Sequence, residues 1–297
     1  MSVGNLLHRR AVARDPYDAV ARASSAAVIK GYSTSFGWAC RLLDEPVRTR
    51  VRTIYALVRL ADEIVDSPRG VTYPELGAER LDALEDETRE AVRTGYSTNL
   101  VVHAFALTAR ECGIAGGLTG PFFASMRADL SVDTHDSASL GEYIHGSAEV
   151  VGLMCLRAFL ADRPAARRAA SYAELAPGAE RLGAAFQKVN FLRDLAADHD
   201  DLGRTYFPGL DLEQFSDAHR DQLLDDIDAD LAAAARVIPR LPAGSRRAVR
   251  AAHGLFAELS RVLRRTPAAR IRSERLRVPA VVKAGVIARS LATGGQR

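Results

Sequence analysis

No stretch of the 297-residue sequence reaches the ~20 consecutive apolar residues that a membrane-spanning helix needs. The best late candidate, Pro279 to Ala292, is interrupted by Lys283 and Arg289. The first ten residues lack a long apolar run followed by a cleavage signal, so no secretory leader is expected. Cysteine is scarce. Cys40, Cys112 and Cys155 lie far apart and form no CxxC pair, and an odd count fits no complete disulfide framework. Reduced thiols in a cytoplasmic protein are the expected state. The formal charge of +3 is too small for a nucleic-acid-binding face, so no nucleic-acid partner is expected. Strict apolar–polar alternation is missing and Ala, Leu and Arg dominate, so the fold class expected is all-α. Solenoid-type repeats are absent as well. The glycine-rich run Gly113–Gly120 fits neither a dinucleotide fingerprint nor a P-loop and reads as a turn. The run from Asp198 to Gly209 cannot be a calcium loop, because Leu202 and Gly209 fall where oxygen ligands are required. His199 has no partner at zinc-ligand spacing.

What remains is a series of helices. Residues 1–18 read as an arm, with Asp15-Pro16-Tyr17-Asp18 as a turn, and 19–297 as one catalytic domain. Helices are expected over 19–30, from Asp44-Glu45-Pro46 to Asp66, and from Tyr73-Pro74 to about Arg93. Others follow over 99–112, 121–130, 139–161, 177–197, 217–237 and 244–265, with a last short one after Lys283.

Two of these helices carry an unusual polar face. In the stretch Gln187–Asp198, the side chains of Gln187, Asn190, Asp194 and Asp198 fall within an arc of roughly 80°. Like charges four apart destabilise a helix, so a cation is expected over them. An all-oxygen donor set suits a hard divalent ion such as Mg²⁺. A solvated acidic face would explain this stretch alone equally well. A second stretch, Tyr55–Asp66, repeats the pattern, with Tyr55, Arg59, Asp62 and Asp66 on one face. Two such stripes facing across a cavity would hold ions, and the ions a diphosphate.

Other segments are open to two readings. The hydroxyl cluster from Ser33 to Phe36 is either a helix cap or a hydroxyl-lined pocket with Phe36 as its wall. On the helix after Ser139, Tyr143, Ser147, Val151 and Met154 share a face. Gly146, Ala148 and Gly152 allow close packing there or room for a bulky ligand. Arg204 and Tyr206 are candidates to lid an anionic site. From Arg261 onward Glu274 is the single acidic residue, and this basic segment could rest on anionic lipid.

In order and spacing, these motifs resemble those of the squalene and phytoene synthase family. The first acidic motif is Asp62-Glu-Ile-Val-Asp66 and the second is Gln187-x-x-Asn190-x-x-x-Asp194-x-x-x-Asp198. Ser33-Thr-Ser35-Phe36, Tyr143 to Gly152 and Arg204-Thr-Tyr206-Phe-Pro208 match further family segments. The resemblance implies an all-helical prenyl synthase with a central cavity. It implies Mg²⁺ (or Mn²⁺) on Asp62, Asp66, Asn190, Asp194 and Asp198. Diphosphate contacts are implied for Arg59, Gln187, Arg204, Tyr206 and Arg275. Ser33, Phe36, Tyr55 and Tyr143 would line the reacting centre. Length and the Arg204–Pro208 run look closest to bacterial phytoene synthases, which implies geranylgeranyl diphosphate as substrate and no NADPH. Farnesyl-using members are the alternative, and a non-catalytic helical scaffold is the alternative of another class. The sequence departs from the family at Glu63, Thr34 and Glu149, and by one extra residue between Asp198 and Tyr206. The expected location is cytoplasmic, or peripheral on the inner face of the membrane.

Overall fold

A computed structural model describes residues 15–32, 35–66, 73–200 and 203–274, with Leu276 and Gly285; at Ser35, Phe36 and Pro74 it describes the backbone alone. Among the described residues every regular element is helical, and the lone β-bridge joins Thr134 to Thr205. The all-α expectation holds.

Helix α1 spans Pro16–Tyr32 and starts inside the segment expected to be an arm. Asp15 explains the earlier start. Its carboxylate accepts from the Tyr17 backbone N–H at 2.9 Å, and Pro16 sits where its missing N–H costs nothing. Helix α2 (Ser35–Cys40) is short, and α3 (Val47–Asp66) carries the first acidic motif. Val51, Ile54, Leu57, Ala61 and Val65 recur three or four apart on α3 and are all buried, which fixes the opposite face toward the cleft. Helices α4 (Pro74–Thr94) and α5 (Leu100–Cys112) follow; Asn99 caps α5 at its start, and Gly113 closes it with φ +74°.

Three expectations need correction. The run Gly116–Gly120 is the first turn of α6 (Gly116–Ala128), with Pro121 inside it. Pro121 is the sixth residue of this helix, so it removes one regular backbone bond, the one that would reach the Gly117 carbonyl. The single helix expected over 139–161 is two helices, α7 (Ser137–Ile144) and α8 (Val150–Leu160), joined by a π turn over His145–Glu149. The helix expected from Pro177 begins at Ala165: α9 runs Ala165–Arg193, breaks at Asp194 (φ −100°, ψ 9°), and resumes as α10 over Leu195–Asp200. Helices α11 (Asp217–Val237), α12 (Ala243–Arg265) and α13 (Ala268–Ser273) complete the described set.

One apolar cluster gathers around α3, α5, α6 and α8, with Phe105, Phe122, Phe123 and Met154 at its centre. A second joins the end of α9 to α11, α12 and the loop bearing Tyr206 and Phe207. The packing of α8 on α9 is close. A side-chain carbon added at Gly183 would lie 2.5 Å from the Ala148 carbonyl oxygen, and one at Gly152 would lie 2.6 Å from that of Ala179. Small residues here let two backbones touch, and α8 and α9 thereby hold the two apolar clusters against one cleft.

Candidate active site

The two acidic motifs meet. Arg204, only 7% exposed, donates to Asp66 at 2.9 Å and to the Asp129 carbonyl at 2.8 Å. This ties the loop after α10 to the end of α3. Asp198 is pushed up to about 7 by burial first and then by Asp194, with Asp66 adding to the rise and Arg204 opposing it. Asp62 is also pushed up to about 7, by burial and then by Asp66, although 31% of its side chain still faces the cleft. Carboxylates from α3 and α10 therefore repel one another across a shared space.

The metal-ligand expectation can be tested against the donors present. Asp62, Asp66, Asn190, Asp194 and Asp198 form an all-oxygen set, and the raised carboxyls among them lack enough positive charge nearby. That chemistry suits a hard divalent cation. Among the described residues, however, no three His, Cys, Asp or Glu side chains already converge on one ion position. Asp66 is held by Arg204, and Asp194 by Arg193 at 2.8 Å. Both arginines would have to share their carboxylates with any bound cation. Sequence reasoning passed over Arg193, because it lies off the Gln187–Asp198 stripe. The break at Asp194 brings its carboxylate onto this neighbour.

Tyr143 and Tyr206 come together through a residue that sequence reasoning missed. The Tyr143 hydroxyl donates to both oxygens of Asp129, at 2.8 and 3.0 Å, and that of Tyr206 reaches Asp129 Oδ1 at 3.4 Å. Burial pushes Asp129 up to about 7; Arg204 and the Tyr143 hydrogen bond pull the other way. Asp129 caps the end of a largely apolar helix and its side-chain partners all come from later segments, so helical periodicity carries no signal for it. The ring of Tyr206 stacks on Phe191 at 4.0 Å between centroids.

Other expected residues sit at the margin. Arg59 pairs with Glu63 at 2.6 Å and lies over the Tyr32 ring at 4.5 Å, while Asp62 is 3.9 Å away. Tyr55 is half-buried against the first apolar cluster. The Asn190 carbonyl accepts the Asp194 N–H at the helix break. Ser33 and Arg275 lie outside the described residues, as does the Phe36 side chain. Glu149 bonds the His145 ring at 2.9 Å.

Gln187 opens the way to an apolar cavity of about 250 Å³ between α2, α3, the π turn, α8, α9, α11 and α12. Gly183, Ala179 and Leu175 continue its α9 wall, and Val151 and Cys155 its α8 wall. Met154, expected on the same face as Tyr143, instead points into the first apolar cluster at 1% exposure. The π turn rotates α8 relative to α7, so the face passes through Cys155.

A helical body in which two acidic motifs meet through Arg204, with Gln187 of the second also lining an apolar cavity, defines the isoprenoid-synthase class of fold. The match to the squalene/phytoene synthase model covers residues 29–281, and the chain belongs to that family, which indicates a prenyltransferase. It is 27% identical over 278 residues to the phytoene synthase of Mycobacterium tuberculosis, covering 87% of this chain and 86% of the relative. It is 28% identical over 205 residues to the 4,4'-diapophytoene synthase of Staphylococcus haemolyticus, covering 67% and 68%. Among solved structures, a dehydrosqualene synthase superposes with a TM-score of 0.78 at 20% identity, over 93% of this chain and 97% of that one.

Proposed function

We propose that the protein joins two geranylgeranyl diphosphates head to head, giving prephytoene diphosphate and then phytoene, with release of diphosphate. The observation that supports this reading is the mutual repulsion of Asp66 and Asp198, one from each acidic motif, with Gln187 of the second motif also lining the apolar cavity. Asp62, Asp66, Asn190, Asp194 and Asp198 would hold Mg²⁺ (or Mn²⁺), which would supply positive charge to stabilise the departing diphosphate. Arg204 and Arg59 bind diphosphate oxygens, with Gln187, Tyr206 and Arg275 as further contacts. Tyr143 is kept in one orientation by Asp129 and borders the reacting carbons, with Tyr55, Ser33 and Phe36 around them. The apolar walls exclude the water that would quench a carbocation.

One observation favours the longer substrate. The phytoene synthase relatives match over most of this chain. The deciding experiment incubates the protein with Mg²⁺ and geranyl, farnesyl or geranylgeranyl diphosphate, without NADPH, and identifies the hydrocarbon. Phytoene from the longest substrate is expected. Dehydrosqualene from farnesyl diphosphate alone would move the assignment to the shorter chain, and no turnover of any substrate would overturn the enzyme reading.

A further inference from the structure

The apolar cavity has two unlike ends, and the pairing of helices around it says which is which. Helices α9 and α11 run side by side in opposite directions. Lys188 on α9 reaches Asp230 on α11 at 2.8 Å and pairs with Asp226 as well, whereas Gly178 lies against Val237 at the end of α11. The cavity follows α9 from Gln187 through Gly183 and Ala179 to Leu175, away from the second acidic motif. At the Leu175 end, Arg163 donates to the Ser171 hydroxyl at 2.6 Å and to the Arg240 carbonyl at 3.5 Å. The end of α8, the first turns of α9 and the end of α11 therefore meet there. A third apolar cluster closes this end as a floor: Leu156, Leu175, Ile238, Leu241 and Val249 belong to it and also line the cavity. Between the two ends, Ala148, Gly152, Ala179 and Gly183 keep one wall thin. A chain entering beside Gln187 meets small residues on that wall and bulky ones at the floor.

One contact near the floor differs from the other close contacts of α9. Gly152 and Gly183 face backbone carbonyls, which cannot swing aside. Gly178 faces a side chain. A carbon added there would lie 2.0 Å from one methyl carbon of Val237, and 3.0 Å from the other and from the β-carbon. Gly178 has no positive φ, so the backbone does not require glycine, and inside a helix glycine is less favourable than alanine. Its missing side chain is a recess in α9 that Val237 fills. Val237 lines the cavity too, and its β-branched side chain has few rotamers to choose from. Denied the recess, it has to shift, and one side of it is the cavity. We propose that Gly178 is a specificity-determining residue that acts by positioning Val237. The recess keeps the valine out of the floor and leaves room for the last isoprene unit of the substrate chain. This rests on the prenyl-transfer reading of the site and adds to it a determinant of chain length. The effect is steric, and it acts at the end of the cavity away from Gln187 and the acidic motifs.

The test separates chain length from general damage. Equilibrium dialysis of the full chain would measure binding of radiolabelled farnesol and geranylgeraniol, which differ by one isoprene unit and carry no diphosphate. In an apolar pocket one methylene more or less changes discrimination by roughly 10–200-fold. In Gly178→Ala, geranylgeraniol is expected to bind about tenfold more weakly while farnesol stays within about twofold of wild type. Gly178→Ala combined with Val237→Ala removes the clash and should restore the wild-type ratio of the two affinities. If Gly178→Ala does not fold, Val237→Ile adds a methyl group from the α11 side, leaves α9 as it is, and should show the same selective loss. Equal weakening of both alcohols, an unchanged ratio, no restoration in the double variant, or no binding of geranylgeraniol to wild type would overturn the proposal. Turnover of geranylgeranyl diphosphate by wild type is scored separately. Its absence would sink the enzyme reading while the ratio of alcohol affinities still reports on Gly178, and phytoene formation beside an unchanged ratio would sink the Gly178 proposal alone.

Discussion

Carboxylates at the mouth of the cleft differ in role according to what faces them. Asp194 is paired with Arg193, whereas Asp198 is raised by burial first and then by Asp194 and Asp66. Asp200 points outward and meets Arg272 at 3.3 Å on the surface. Asp194→Asn and Asp198→Asn should each lose most turnover at saturating Mg²⁺, at least tenfold, and Asp198→Asn should keep or raise the melting temperature because repulsion is relieved. Asp200→Asn should leave turnover near wild type, because exposed pairs contribute little. A silent Asp198→Asn beside a crippling Asp200→Asn would contradict this assignment. Asp129→Asn places an amide N–H₂ where a tyrosine hydroxyl donates. It should destabilise the fold by about 1–3 kcal/mol and lower turnover, read by denaturant melts and initial rates. A sign follows for pH. Asp62, Asp129 and Asp198 are each pushed up to about 7, against ~3.9 for an ordinary aspartate. Between about pH 4 and 7 the folded chain holds protons that the unfolded chain has released. Their contribution to stability is thus complete below pH ~4 and lost as pH rises through 7. The lowered carboxyls, such as those of Asp136 and Asp162, act only at more acid pH. The melting temperature of the metal-free protein should therefore fall from pH 5 to 8. A pH series repeated on Asp62→Asn should show a shallower slope.

At the scale of elements, periodicity located most helices and both acidic motifs, because a buried face leaves a three-to-four spacing in the sequence. It failed where tertiary contact overrides local pattern. The break at Asp194 changes backbone register without any proline or glycine to mark it, and the lone Gly146 in the π turn at His145–Glu149 reads in sequence only as a site of close packing. The glycine run before Pro121 looked like a turn, yet its residues serve as a helix start. Asp129 stayed hidden because its partners, Tyr143, Tyr206 and Arg204, come from later segments. Close approach to α9 was partly legible in Ala148 and Gly152, and the structure adds Gly183; Gly146 packs instead against Pro121 and Ser125 of α6. Gly183→Ala should force a carbon against the Ala148 carbonyl, a backbone atom that cannot swing aside. A loss of about 1–3 kcal/mol is expected from overpacking, measured by chemical denaturation. Gly141→Ala, where nothing lies within 4 Å, is the control and should be neutral or slightly stabilising.

For the whole molecule, no described helix is long and apolar enough to cross a membrane, yet the proposed product is a hydrocarbon with little solubility in water. The net charge of +3 gives weak attraction to anionic lipid, so any electrostatic contact must come from local excess. The basic segment from Arg261 onward is the place to look, and the structure divides it. Arg261 pairs with Glu258, Arg264 with Asp225 and Asp228, Arg270 with Glu274, and Arg272 with Asp200. These four are largely neutralised by the protein's own carboxylates. In the sequence after Glu274, Arg275, Arg277, Lys283, Arg289 and Arg297 have no acidic residue among them. Binding to vesicles of mixed neutral and anionic lipid should therefore depend on the later group. Replacing Arg277 and Lys283 together with Gln should weaken flotation with anionic vesicles severalfold at low salt, each cation near the surface being worth ~1 kcal/mol. Arg264→Gln should change it little. Raising the salt should erase the difference, since the Debye length falls from ~10 Å at 0.1 M to ~3 Å at 1 M. Equal binding to neutral and anionic vesicles at low salt would show that the attachment is not electrostatic.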